Sequence, residues 1–119
     1  MLAKARRLRQ ERDIVRVYKK GRWGGAADLH AKAFKTGWPE ARMAIVVSKK
    51  VSKKAVVRNR IRRRVAGQVE ELWNSLVPGY DIVVTVRSDV SEATAPELKK
   101  QLSQALSRTG AINEEKPHV

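Results

Sequence analysis

The sequence contains no cysteine, which excludes disulfide bridges and thiolate chemistry. Long apolar runs are also missing, because the longest is only Met43–Val47 and a membrane-spanning helix needs roughly 20 such residues. No apolar segment of roughly 7–15 residues follows the basic N-terminus, as a secretory signal would require. We therefore expect a cytoplasmic protein, with an organellar targeting peptide as the weaker alternative for the N-terminal arginines.

Residues that could carry out hydrolysis by themselves are scarce as well. The two histidines are His30 and His118, and no DxD or HxH pairing occurs. Asp28 and His30 come nearest to a catalytic or metal site, but two residues do not supply the general base and ligands that such a site needs. The sequence therefore predicts no catalytic residue and no metal ligand in the protein itself, which argues against an autonomous nuclease.

The chain has instead a large excess of positive charge. It includes 26 Lys and Arg against 12 Asp and Glu, a formal net charge of +14. Residues 1–65 carry 21 basic side chains against 4 acidic ones, whereas residues 66–119 carry 5 against 8. Because solubility does not require such segregation, it predicts a binding surface for nucleic acid or an anionic membrane, built mainly from the first half.

Length and composition predict one folded domain. A chain of 119 residues, of which 42% are hydrophobic, can bury one core but not two ordinary ones. We place this domain at residues 1–112 and expect residues 113–119 to form a frayed C-terminal tail.

Three segments have the periodicity of helices. The first covers residues 9–20 and stops at Gly21. The longest covers residues 52–76, with Ser52 as a possible N-cap and an apolar side chain at every third or fourth position. The third, over residues 94–110, opens with the capping box TAPE.

Three further segments have the patterns of strands, at residues 29–35, 44–48 and 81–86. The glycine-containing stretch after Trp23 predicts a turn or one more short edge strand. The resulting element order, αβββαβα, predicts an α+β domain in which helices cover a small sheet.

One basic run stands out within the long helix and the loop before it. Nine of the sixteen residues from Lys49 to Arg64 are basic and none is acidic. Helical spacing places Ile61 on the buried stripe, Arg58 and Arg64 at its borders, and the remaining basic residues outward. We predict that RNA binds the residues Lys49, Lys50, Lys53, Lys54, Arg58, Asn59, Arg60, Arg62 and Arg63.

This arrangement is unfavourable for folding alone. Lys53 and Lys54 lie at the positive end of the helix dipole, where each cation costs roughly 0.3–1 kcal/mol. Arg58 and Arg62 repel each other at a spacing of four residues. Most runs of charged residues are simply a solvated helix face. That explanation does not account for a run that contains no acidic residue and places cations against the helix dipole, whereas phosphate binding accounts for both features. Asn59 adds an amide that can read base edges or 2′-hydroxyls.

The run KKAVVRNRIRRRV resembles the signature of the bacterial ribonuclease P protein family, a KxAVxRNRxKR-like sequence on a long helix. The preceding MAIVVSKKVSKK and the basic first helix ending in Gly21 are also similar to the family, and the resemblance covers roughly residues 5–109. Two departures are that the family often has Phe where Ile14 stands and that only 5% of this chain is aromatic. Base stacking is therefore expected to be weaker here.

The resemblance implies a fold and a division of labour. The fold would be an α–β sandwich like ribosomal protein S5 domain 2, with a left-handed βαβ crossover around the arginine-rich helix. That helix would face the catalytic RNA, which performs the hydrolysis with Mg²⁺ bound mainly by the RNA and the substrate. A monomer in a 1:1 complex would then assist removal of the 5′ leader from precursor tRNA. The residues best placed for a leader-binding cleft are Arg12, Tyr18, His30, Lys32 and Phe34.

Alternatives remain open at this stage. His30 and Lys32 could be ordinary outward strand residues, while Trp23 and Trp38 could belong either to a site or to a turn. Trp73 is expected in the core. A ribosomal protein would share the size, charge and fold class, but the arginine-rich helix disfavours it. A DNA-binding or membrane-surface protein fits less well, since neither a helix-turn-helix nor a bulky apolar face is found.

Overall fold

The computed structural model describes residues 2–113, and within them the predicted order αβββαβα is confirmed. Two 3₁₀ turns, Lys4–Arg6 and Trp73–Ser75, flank the regular elements. Residues 114–119, most of the expected C-terminal tail, lie outside the described range. The helices and strands are α1 (Glu11–Lys20), β1 (Arg22–Gly25), β2 (Leu29–Lys35), β3 (Arg42–Val47), α2 (Ala55–Leu72), β4 (Tyr80–Val86) and α3 (Ala95–Thr109).

The four strands form one mixed sheet in the order β1-β2-β4-β3. Strand β2 is antiparallel to both β1 and β4, whereas β3 is parallel to β4 and is joined to it by α2. The left-handed sense of that crossover stays a prediction from the family resemblance. The helices cover both faces of the sheet, with α2 and α3 on one face and α1 on the other.

The two faces of the sheet are buried to different extents, as the alternation of side chains along the strands requires. The larger core lies between the sheet and the helices α2 and α3; its fully buried members include Leu29, Ile61, Val65, Ile82, Val84, Leu102 and Leu106. The smaller core lies under α1 and contains Leu8, Val17 and Val83, with Ile14 and Phe34 packed against it. Part of this second face is therefore left open beside α1.

Two details of the predicted helices are wrong. Ser52 is not the N-cap of α2, which begins at Ala55 after Lys54; the hydroxyl of Ser52 instead accepts a hydrogen bond from the Lys54 backbone N–H at 3.2 Å. A hydroxyl that closes this turn lies too early in the chain to cap the helix. The helix also ends at Leu72, because the chain tightens there into the 3₁₀ turn.

Glycine 21 ends α1 as predicted, although its backbone is extended rather than left-handed. A Cβ atom at this position would lie only 2.4 Å from the carbonyl oxygen of Val17. Gly21 is therefore required because two backbone segments approach closely where the chain passes from α1 into β1.

A cluster of charged side chains attaches α1 to the sheet. Asp81 of β4 is completely buried and accepts hydrogen bonds from Arg42 Nε at 2.9 Å and from Arg42 Nη2 at 2.8 Å. Arg16 of α1 reaches the same carboxylate at 3.4 Å and also contacts Asp13. The hydrogen bond with Asp81 raises the pKa of the Arg42 guanidinium above its usual value, against the opposing effect of burial.

Replacing Asp81 with Ala is expected to lower the free energy of unfolding by about 2–4 kcal/mol, because two arginines then lose their buried partner. Urea denaturation followed by circular dichroism measures the change. Glu71→Ala is the control, since the Glu71–Lys99 ion pair is exposed and contributes about 1 kcal/mol or less. Equal small losses in the two variants would contradict a structural role for Asp81.

Candidate RNA-binding surfaces

The predicted basic residues lie together on the first half of α2 and the loop before it. Lys49, Lys50, Lys53, Lys54, Asn59, Arg60 and Arg63 are exposed, whereas Arg58 and Arg62 are half-buried. We call these nine residues the basic helix face. They point away from the sheet because Ile61, Val65 and Val69 hold the opposite side of the helix in the core.

The N-terminus of α2 increases the positive potential of this surface. In the part of the chain that the structure describes, no side chain caps it, and its first turn contains no acidic residue. Helix N-termini carry unpaired backbone N–H groups and a partial positive charge, both of which attract phosphate. The dipole and the side-chain charges therefore act in the same direction.

Some basic residues also have local partners that orient them. Arg58 Nη1 donates to the carbonyl oxygen of Ser52 at 2.9 Å, which closes the loop that precedes α2. Arg62 donates to the side chain of Asn59. Binding through the amide of Asn59 would therefore compete with this intrahelical contact.

Arg64 differs from its neighbours in the basic run. Its guanidinium donates from Nη1 to the carbonyl oxygen of Ser91 and from Nη2 to the carbonyl oxygen of Ala93. These two hydrogen bonds attach the loop before α3 to α2. Its place at the border of the apolar stripe, predicted from helical spacing, agrees with this structural role.

The N-terminal segment also belongs to the basic surface, although the sequence did not single it out. The Leu8 backbone N–H donates to the carbonyl oxygen of Met43 at 2.9 Å, and the Leu8 side chain is buried. This pairing places Arg7 and Arg9 beside Arg62, around a shared cavity of about 210 Å³. The only signal in the sequence was the basic charge of this segment.

On the other side of the sheet, α1 leaves part of the face uncovered. The strand register places Trp23 opposite Lys32, and His30 opposite both Gly25 and Thr85, so these side chains share one face. We call this surface the open sheet face. Lys32 Nζ donates to the carbonyl oxygen of Tyr18 at 2.7 Å, which connects it to the C-terminal end of α1.

The five residues predicted for the leader cleft do not all lie on this surface. Lys32 lies at its border with α1, where it contacts the backbone of the exposed Tyr18, and His30 lies two residues earlier in β2 on the same face. Phe34 lies under α1, with the Arg16 guanidinium 5.2 Å from its ring centroid, because α1 docks over this end of β2. Arg12 is exposed on α1, and it is Arg16, one turn later, that faces the sheet.

Two of the three tryptophans also have defined neighbours away from the open sheet face. Trp73 packs partly against the main core and lies 4.9 Å beneath the guanidinium of Arg6. Trp38 is exposed and lies 5.2 Å from the guanidinium of Arg42.

Within residues 2–113, no group of three or more His, Asp or Glu side chains is arranged to hold a metal ion. In the same part of the chain, no helix is both long and apolar enough to cross a membrane.

Comparison with known proteins identifies the family. A family model described as Ribonuclease P matches residues 2–110. The chain belongs to the ribonuclease P protein family. The ribonuclease P protein component of a Pseudanabaena species is 37% identical over 114 residues, which cover 95% of this chain and 98% of the relative.

Solved structures of ribonuclease P proteins share the fold. The Staphylococcus aureus protein has a TM-score of 0.79 and 26% identity, covering 92% of this chain and 100% of that one. The Thermotoga maritima protein has a TM-score of 0.76 and 28% identity, covering 86% of this chain and 96% of that one. The resemblance inferred from the sequence is thus confirmed, as is the α+β fold class.

His30 has an unusual environment in this ribonuclease P protein. Its Nδ1 atom is buried and has no hydrogen-bond partner among residues 2–113. Burial lowers the pKa of the imidazole below its usual value, and the positive charges of Arg87 and Lys32 lower it further. The ring is therefore neutral at neutral pH. Protonation of the ring at acidic pH would place a positive charge close to two other cations.

We predict that an NMR titration gives His30 a pKa below 6.5. In an Arg87→Ala variant the pKa should rise, though not fully to that value, because burial and Lys32 still disfavour the charged ring. Lys100→Ala, on α3, serves as the control and should leave the titration unchanged. A His30 pKa of 6.5 or higher in the unsubstituted protein would contradict this description.

Proposed function

We propose that this chain is the accessory protein subunit of a bacterial ribonuclease P and binds two RNAs at once. The basic helix face binds the catalytic RNA, and the cleft between α1 and the open sheet face binds the single-stranded 5′ leader of precursor tRNA. The observation that carries the proposal is that α2 and α1 pack on opposite faces of one sheet, so that neither RNA blocks the other.

The basic helix face suits a folded RNA partner. Its exposed lysines and arginines can neutralise several phosphates, while the uncapped N-terminus of α2 supplies backbone donors. Family membership supports the choice of ribonuclease P RNA over ribosomal RNA.

The cleft suits a single strand. Tyr18 offers an exposed aromatic ring, and Lys32 adds a cation beside it. Single-stranded nucleic acids bind to such combinations, in which bases stack and phosphates meet positive charge. Because Phe34 is partly buried against α1, stacking by Phe34 contributes less than the resemblance implies.

The proposal assigns the chemistry to the RNA. Mg²⁺ would be bound mainly by the RNA subunit and the substrate, and the protein would raise their affinity by adding positive charge nearby. We further propose a monomer in a 1:1 complex with the RNA, acting in the bacterial cytoplasm where precursor tRNA is processed.

Cleavage of precursor tRNA at low Mg²⁺ tests the function directly. The assay compares this protein alone, bacterial ribonuclease P RNA alone, and the mixture, and only the mixture should be active. Activity of the protein alone would reveal an undetected catalytic site. Failure to stimulate a competent RNA would favour the ribosomal alternative.

Replacing both Arg60 and Arg63 with Ala should weaken binding to ribonuclease P RNA roughly 30- to 900-fold, since each charged contact contributes about 1–2 kcal/mol. The slope of log affinity against log salt should also fall by roughly 1.4–1.8. Filter binding at several salt concentrations measures both quantities.

The matched control is the double variant Lys99→Ala, Lys100→Ala, which removes the same charge from α3. Its thermal unfolding should resemble that of the Arg60, Arg63 variant, because all four side chains lie largely on the surface. If both double variants lose RNA affinity equally, net charge alone governs binding and the basic helix face is not a specific site.

A further inference from the structure

Trp23 is a large apolar side chain that the proposed function does not use. It lies in the edge strand β1, and 55% of its surface is exposed. A single exposed indole is not informative by itself, so the case for a site depends on what surrounds the ring.

The neighbours of Trp23 hold its ring on the open sheet face. The indole and the imidazole of His30 have centroids 6.0 Å apart and are inclined by 48°. A Cβ atom at Gly25 would lie 2.4 Å from Cη2 and 2.6 Å from Cζ2 of the indole, so the ring rests directly against the glycine backbone. Gly25 and His30 thereby fix the ring while much of it stays accessible.

The charges around this ring are positive. Lys32 stands opposite Trp23 in the strand register and points to the same face of the sheet. The pKa of His30 is lowered in part by Arg87, which places a further cation close by. An accessible aromatic ring among cations is a stacking platform for a base with a neighbouring phosphate.

We propose that Trp23 stacks on a nucleobase of the single-stranded leader and extends the leader-binding cleft from α1 across β2 to the edge strand β1. His30 is a positioning residue that supports the indole. This inference rests on the proposed function and deepens it, because it divides the cleft into a part beside α1 and a part at β1.

The division has a measurable consequence for leader length. A long leader can reach from Tyr18 across β2 to Trp23, whereas a leader of a single nucleotide cannot reach both. Loss of the indole should therefore weaken binding of long leaders and leave short ones unaffected.

The experiment measures the affinity of the assembled complex for precursor tRNA with a long leader and with a leader of one nucleotide. Trp23→Ala should weaken binding of the long-leader substrate roughly 5- to 100-fold and leave the short-leader substrate unchanged. Trp23→Phe should retain much of the affinity, because it keeps a stacking ring. Trp38→Ala is the control, since Trp38 has the same exposed fraction but lies beside Arg42.

A second readout does not depend on the stability of the alanine variant. In a protein with Trp38→Phe and Trp73→Phe, the remaining tryptophan fluorescence comes from Trp23 and should be quenched when the long leader binds. Unchanged fluorescence, or unchanged long-leader affinity in Trp23→Ala, would overturn the inference. If the unsubstituted complex itself shows no preference for long leaders, the proposed leader function fails instead.

Discussion

The buried carboxylate of Asp81 is the interaction on which the working surfaces of this protein depend. It joins Arg42 of β3 and Arg16 of α1 to the central strand β4, and so fixes where α1 crosses the sheet. A hydrophobic contact could supply similar stability but would fix the position of α1 on the sheet less strictly. An ion pair is more specific because any displacement of α1 would leave the buried carboxylate without its partners. The location of α1 in turn determines that Phe34 packs partly under the helix and that His30 and Lys32 lie on the open sheet face.

The long helix α2 shows how binding and folding compete within one element. Lys53 and Lys54 immediately precede its N-terminus, at the positive end of the dipole, and this placement disfavours the helix. Burial of Ile61, Val65 and Val69 offsets this cost, since each fully buried branched side chain contributes about 1.5–3 kcal/mol. The core thus allows the outer side of the first half of the helix to carry only charges suited to phosphate.

Local patterns in the sequence predicted the elements that local forces determine. The apolar stripe of α2 and the capping box at Thr94, whose side chain accepts from the Glu97 N–H, are both present. Contacts between distant residues could not be predicted in this way. Nothing near Asp81 indicates Arg42 and Arg16 as its partners, and the pairing of Leu8 with Met43 joins segments without a shared pattern.

The central claim is that two RNAs occupy opposite faces of the sheet at the same time. Because the chain has no cysteine, a photoactivatable crosslinker can be attached to a single introduced thiol, either in Arg63→Cys or in Thr85→Cys. In the complex with catalytic RNA and precursor tRNA, the account predicts that position 63 crosslinks to the catalytic RNA and position 85 to the leader. Crosslinks from both positions to the same RNA would contradict it.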